Sequence, residues 1–185
     1  MDSKQDIQPL RTIDEINDMK NSLLRHFSYR DYMLFSMGIN VGLRVSDLVR
    51  FKVKDVRGKE RYRIKEKKTN KTNSLKFPEP LRKLIDEYTK DMDNEDFLFQ
   101  SRNGRNKPLT TNQVYRILVK AGELCDLKNI GTHTMRKTFG YHYYQRTKDI
   151  GTLMVIFNHS SQKVTKLYIG ISQDEIDESL EGYML

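Results

Sequence analysis

The chain has one cysteine, Cys125, in 185 residues. An internal disulfide is therefore impossible, and a cysteine-based zinc site is excluded, so stability has to come from packing. No run of eighteen apolar residues occurs, and the opening MDSKQDIQPL lacks the apolar core of a signal peptide. A membrane span is not expected, and the expected location is the cytoplasm. There is no internal repeat and no low-complexity linker. No acidic cluster suited to Mg²⁺ and no Cys/His set suited to zinc can be found. A two-metal nuclease would lack its parts, and no metal or cofactor is expected. Tryptophan is absent; the ten tyrosines decide little, since tyrosine suits a wet interface and a core edge equally.

Positive charge, by contrast, is plentiful. Thirty-three Lys and Arg face twenty-five Asp and Glu, a net charge of +8, which argues for a polyanionic partner, nucleic acid before membrane surface. The length suits one domain with a self-sufficient core. Residues 1–11 read as a tail or linker and 12–185 as the folded unit.

Along that unit, Thr12 and Glu15 form a capping box for a helix with apolar positions Ile13, Ile16, Met19 and Leu23. A second helix from Ser28 is too apolar for a surface and ends at Gly42, where a left-handed cap is easy. GLRVSDLVRF follows as a short helical turn. Its Arg44 sits between apolar positions and must be paired or face a cleft, and Asp47, three residues on, can hold it. From Val53 to Phe77 the period changes to alternation, predicting two or three short antiparallel strands with turns at Arg57-Gly58 and Thr69-Asn70. The second turn carries Lys65, Lys67, Lys68 and Lys71, too many charges for a core. Pro78 and Pro80 stop the sheet, Leu81 to Tyr88 form a helix, and Phe97 to Phe99 make a buried extended piece. SRNGRNKP is a basic loop, and Thr110 with Gln113 caps another helix.

After Gly131, Thr132 is expected to cap a helix starting at His133, which puts His133 and Arg136 one turn apart. Ile150–Phe157 is a short apolar helix ended by Asn158 in a left-handed position, with His159 next. Ser161 to Tyr168 forms another, and Ser172 with Glu175 opens a last acidic one. Singly, these polar residues have structural explanations: a backbone-bonded helix-start histidine, a surface arginine, a solvated lysine, a half-buried tyrosine. Taken together, Arg44, Lys68, His133, Arg136, His159 and Tyr168 hold three permanent cations, two groups titrating near neutrality and one phenol. Two arginine forks can clamp the oxygens of a phosphodiester, leaving tyrosine as the nucleophile.

The order and spacing of these residues resemble the tyrosine recombinases, the phage integrase family. The match is carried by GLRVSDL at 42–48, the lysine hairpin KKTNKTNSLKFP, the H-x-x-R box His133-Thr134-Met135-Arg136, and the tail from Phe157 to Tyr168. The resemblance implies a mainly α fold with a small antiparallel sheet (α+β). It also implies site-specific cleavage and rejoining of double-stranded DNA through a 3′-phosphotyrosine. Arg44 and Arg136 would bind the scissile phosphate, and Lys68, which shares its turn with Lys67 and Lys71, would protonate the leaving 5′ oxygen. His133 would be an acid/base partner, His159 would hydrogen-bond the phosphate, and Tyr168 would attack, with Asp47 in support. Lys67, Lys71, Arg102, Arg105, Lys107, Lys137 and Lys163 are the expected DNA contacts. Asn158, Phe157 and Lys137 depart from the family's usual glycine, leucine or methionine, and histidine.

The family's usual N-terminal core-binding domain has no counterpart in the chain, which reads as a fragment or a short stand-alone protein. Weak, strongly salt-dependent DNA binding is expected in consequence. The segment 172–185 is expected to fold back on its own chain or to dock on a second copy in a homo-oligomer. A DNA-binding accessory protein of the same fold and a type IB topoisomerase are the competing functions.

Overall fold

The computed structural model describes residues 7–68, 72–171 and 180–181. The helices are α1 (Ile13–His26), α2 (Tyr29–Val41), α3 (Val45–Leu48), α4 (Val53–Val56), α5 (Glu79–Thr89), α6 (Thr111–Glu123), α7 (Thr134–Thr147), α8 (Ile150–Phe157) and α9 (Gln162–Tyr168). Strands β1 (Arg61–Lys65) and β2 (Thr72–Lys76) form an antiparallel pair in which Tyr62 faces Leu75 and Arg61 faces Lys76. The expected α+β class is what is found.

The caps at Thr12/Glu15 and Thr110/Gln113 are full capping boxes, each side chain satisfying an otherwise orphaned N–H. Helix α2 is central: Met33 to Gly38 are buried in succession, and it packs on α1, α5 and α7. Phe35 is fully buried, and truncating a phenylalanine in such a place costs about 3–5 kcal/mol. Gly42 ends the helix at φ 65°, and a Cβ there would also strike the Phe139 ring. A second, smaller core of Leu153, Phe157, Ile169 and Ile171 joins α8 and α9 to the aromatic face of α7. Gly140 makes this approach possible, since a Cβ would lie 2.7 Å from both Phe157 and Ile169.

Several expectations need correction. Val53 and Val56 belong to the helical turn α4 and not to a strand, because residues three apart share a face on a helix as they cannot on a strand, and both are buried there. The sheet is therefore a single hairpin. Helix α7 begins at Thr134, with His133 at the cap position and no side-chain cap. Thr132 does not cap it; the Thr134 hydroxyl instead accepts from the Gly131 N–H at 3.0 Å. At Phe97–Phe99, expected as a buried extended piece, Leu98 and Phe99 are buried but form a turn between isolated bridges at Phe97 and Gln100, with Phe97 half-buried and the Leu98 N–H donating to the Phe51 carbonyl. The turn at Thr69-Asn70 and the acidic helix expected after Ser172 lie outside the described residues, apart from residues 180 and 181.

Residues 7–11, at the end of the expected tail, lie against the body. The Leu10 N–H donates to Thr138 Oγ1 at 2.9 Å, His142 Nε2 meets the Leu10 carbonyl at 3.0 Å, and Arg11 Nη2 donates to the Gly170 carbonyl at 2.8 Å. The start of the described chain thereby reaches α7 and the end of α9.

Candidate active site

Arg136, in the first turn of α7, is only 2% exposed. Its Nη1 donates to the Gly42 carbonyl at 2.7 Å and its Nη2 to the Phe157 carbonyl at 3.0 Å, while the guanidinium lies 4.4 Å over the Phe157 ring. One side chain thus ties the segment entering Arg44 to the segment entering His159. Only a planar fork satisfies two carbonyls and stacks on a ring at once. Burial is also what most disfavours its charge, although guanidinium remains protonated at any working pH.

Tyr168, the last residue of α9, points into this cluster. Its hydroxyl is 3.0 Å from His133 Nδ1, and its ring is bracketed edge-on by Phe157 at 5.4 Å and His159 at 5.1 Å. Buried Ile169 and Ile171 anchor the chain just beyond it. Burial pushes the phenol above its ordinary value, and Arg136 and Arg44 pull it back down. His133 is moved the other way: burial first, then Arg136, Lys137, Arg44 and Lys68, hold the imidazole below the ordinary histidine value. A neutral imidazole therefore faces a protonated phenol at neutral pH.

His159 follows the left-handed Asn158, φ 53°, and its N–H donates back to the Met154 carbonyl at 2.9 Å, closing α8 in a Schellman-type turn. Its Nδ1 is 3.1 Å from Thr165 Oγ1. That hydroxyl gives its one proton to the Ser161 carbonyl at 3.0 Å, so towards His159 it can only accept. Nδ1 must then carry a proton, and Nε2 carries one only in the imidazolium form. Burial, Arg136 and Arg44 all lower the pKa of His159.

Arg44 does not pair with Asp47 as expected. Its Nη1 donates to Glu66 Oε2 at 2.5 Å, an ion pair in which the Arg44 side chain is 18% exposed and the Glu66 side chain 1%. Asp47, completely buried, accepts the Lys67 backbone N–H at 2.8 Å and lies 3.8 Å from Arg50 Nη1. The reason is direction: α3 turns the Asp47 carboxylate under the root of the lysine hairpin, whereas Glu66 leaves β1 facing Arg44. Lys68 is exposed, and its charge reaches His133.

Of the six expected residues, His133, Arg136, His159 and Tyr168 thus meet in one cluster, with the charges of Arg44 and Lys68 reaching it and Glu66 and Asp47 beside Arg44 and the hairpin root. Of the expected DNA contacts, Lys67, Arg102, Arg105, Lys107 and Lys163 are exposed. Arg102 shares a cleft of about 400 Å³ with Arg30 and Arg116. Lys71 lies outside the described residues. Lys137 donates to the Ile7 carbonyl at 2.6 Å and lies 5.5 Å over the Tyr168 ring. A larger cleft of about 890 Å³ between α2, β2, α7 and α8 includes none of the six. Sequence reasoning missed Glu66, which reads as one more charge in a solvated run, and undervalued Phe157, which floors the site beneath Arg136.

Comparison with known proteins gives concordant matches. The phage integrase family model matches residues 10–175. The probable integrase/recombinase YoeC of Bacillus subtilis (strain 168) is 49% identical over 168 residues, covering 91% of this chain and 92% of YoeC. Tyrosine recombinase XerA of Pyrococcus furiosus is 27% identical over 155 residues, covering 82% of this chain and 54% of XerA, so the chain spans about half the length of that relative. In fold, a crystal structure of XerA recombinase superposes with a TM-score of 0.75 at 22% identity over 95% of this chain and 65% of the other. XerH site-specific recombinase bound to a palindromic difH substrate gives 0.75 at 18% identity over 94% and 52%.

Proposed function

Because the chain belongs to the phage integrase family, we propose that its cationic cluster cuts and rejoins double-stranded DNA at a specific site through a phosphotyrosine bond, as a tyrosine-type site-specific recombinase. The observation that carries this reading is the nucleophile's setting: the Tyr168 hydroxyl 3.0 Å from His133 Nδ1, with Arg136 and Arg44 both acting on the phenol.

The steps follow from that geometry. The Tyr168 oxygen attacks phosphorus as its proton passes to His133 Nδ1, in the tautomer that carries its own proton on Nε2. Arg136 and Arg44 meet the growing charge on the phosphate oxygens. As the bond to the 5′ oxygen breaks, that oxygen takes a proton from Lys68. The product is a 3′-phosphotyrosyl ester with a free 5′ hydroxyl, and reversal reseals the strand without ATP. His159 in its imidazolium form donates Nε2–H to a phosphate oxygen. Support for Lys68 over Lys67 comes from its electrostatic reach to His133.

The catalytic unit is residues 12–185 in this reading, and the exposed Lys67, Arg102, Arg105, Lys107 and Lys163 meet the DNA backbone together with Lys71. A homo-oligomer on DNA through 172–185 belongs to the same proposal. So does a cytoplasmic location; no described helix is long and apolar enough to cross a membrane. The test is a nicked suicide duplex that traps the covalent adduct, its sequence selected by capture from a randomised pool. Wild type forms the adduct and Tyr168→Phe does not; an adduct that persists in Tyr168→Phe overturns the reading.

A further inference from the structure

A buried carboxylate beside an arginine meant for a phosphate looks counterproductive, because it offsets charge that the phosphate would meet. Glu66 is such a carboxylate. It is 1% exposed, comes from the end of β1, and holds Arg44 Nη1 at 2.5 Å. One residue later, the Lys67 backbone N–H is fixed at 2.8 Å to Asp47, on the same helical turn as Arg44. Successive residues of the hairpin are therefore fastened to successive parts of the Arg44–Asp47 turn, one by side chain and one by backbone, and Lys68 is the next residue.

The arginine keeps enough donors for this to work. Guanidinium carries five N–H groups in a fixed plane, and one edge held by a carboxylate leaves the others aimed in a set direction. Held in this way, Arg44 meets a phosphate without first ordering a long side chain. Lys68 is exposed, so its own packing does not fix it; the two bonds just upstream are what limit where its ammonium can go.

We propose that Glu66 is a positioning residue that orients Arg44 and docks the root of the Lys68 turn, joining the phosphate clamp to the group that protonates the leaving oxygen. The proposal rests on the recombinase reading above.

The experiment compares two suicide duplexes of the sequence captured by wild type, one natural and one with sulfur replacing the bridging 5′ oxygen at the cleavage position. A thiolate leaves without a proton, because its ordinary pKa lies near ~8.5, so a defect that acts through Lys68 is relieved on the sulfur duplex. Lys68→Ala provides the benchmark. Glu66→Ala should form adduct about 100-fold more slowly than wild type on the oxygen duplex and regain about tenfold or more on the sulfur duplex. Glu66→Gln keeps the shape and an acceptor; it should lose about tenfold and regain part of that, and it carries the test if Glu66→Ala does not fold. Rates within about twofold of wild type on the oxygen duplex in both variants overturn the proposal. So does a defect equally deep on both duplexes, which is the signature of a general structural loss. If wild type captures no duplex from the pool, the recombinase reading itself fails and takes this proposal with it.

Discussion

Two arginines with the same proposed task should differ sharply when each is replaced by lysine. Arg136→Lys keeps the charge but replaces a planar fork with a point donor that reaches one carbonyl and not both. The structure supplies the terms. One of the bonds to the Gly42 and Phe157 carbonyls, at 2.7 and 3.0 Å, is lost, and a charged hydrogen bond contributes about 1.5–3 kcal/mol. Stacking on Phe157 at 4.4 Å is weakened as well, and a desolvated cation–π contact contributes about 1–2 kcal/mol. The sum, about 2–5 kcal/mol, is a large share of the ~5–15 kcal/mol that holds a domain. At ~2–4 °C per kcal/mol for a chain of this size it lowers Tm by about 4–20 °C. Arg44→Lys still pairs the buried Glu66 carboxylate and leaves no charge uncompensated, so it should cost about 1 kcal/mol. Urea titrations of both variants at one salt concentration, read by circular dichroism, make the comparison. Equal losses in the two variants, or an Arg136→Lys protein as stable as wild type, would refute the claim that Arg136 is the tie between the two segments.

Two pH effects follow from the histidines. Because the folded state holds His133 below the ordinary value, the unfolded chain takes up a proton first as pH falls through ~6.5; stability present above that pH declines below it. His133→Gln should flatten this acid decline in pH-dependent urea midpoints, though only in part, because His159 is shifted in the same sense; an unchanged decline would argue against it. Since neutral His159 has no proton on Nε2, donation to a phosphate requires proton uptake. DNA affinity at constant ionic strength should therefore weaken as pH rises from the acid side through ~6.5, and fluorescence anisotropy should find that slope lost in His159→Gln; a wild-type slope in the variant would contradict the assigned tautomer.

Most of the helices were legible because their signals are local. Thr12, Ser28, Thr110 and Ser161 all cap where the spacing of apolar residues predicts a helix start, and Asn158 takes the left-handed conformation that its place after Phe157 demands. Val53 to Val56 was misread because one helical turn is too short to distinguish its period from alternation. At the site, the polar residues were legible as a dispersed set, but their partners were not. Arg136 is held by backbone carbonyls, which leave no mark on a sequence. Glu66 is 22 residues from Arg44, and a glutamate among lysines looks like a solvated charge until the hairpin folds. Asp47 sits at the right helical spacing from Arg44, yet its carboxylate lies beneath the hairpin root. Spacing supplies proximity; the direction of each side chain comes from tertiary packing.

The central claim is that Tyr168 is a nucleophile held ready in its own chain's site. Its direct test is the covalent adduct on the suicide duplex captured from the randomised pool, digested and sequenced by mass spectrometry. One phosphonucleotide-modified residue is expected, Tyr168, with none in Tyr168→Phe and a much slower appearance in His133→Gln. Attachment through any other residue, or an adduct undiminished in Tyr168→Phe, would contradict it.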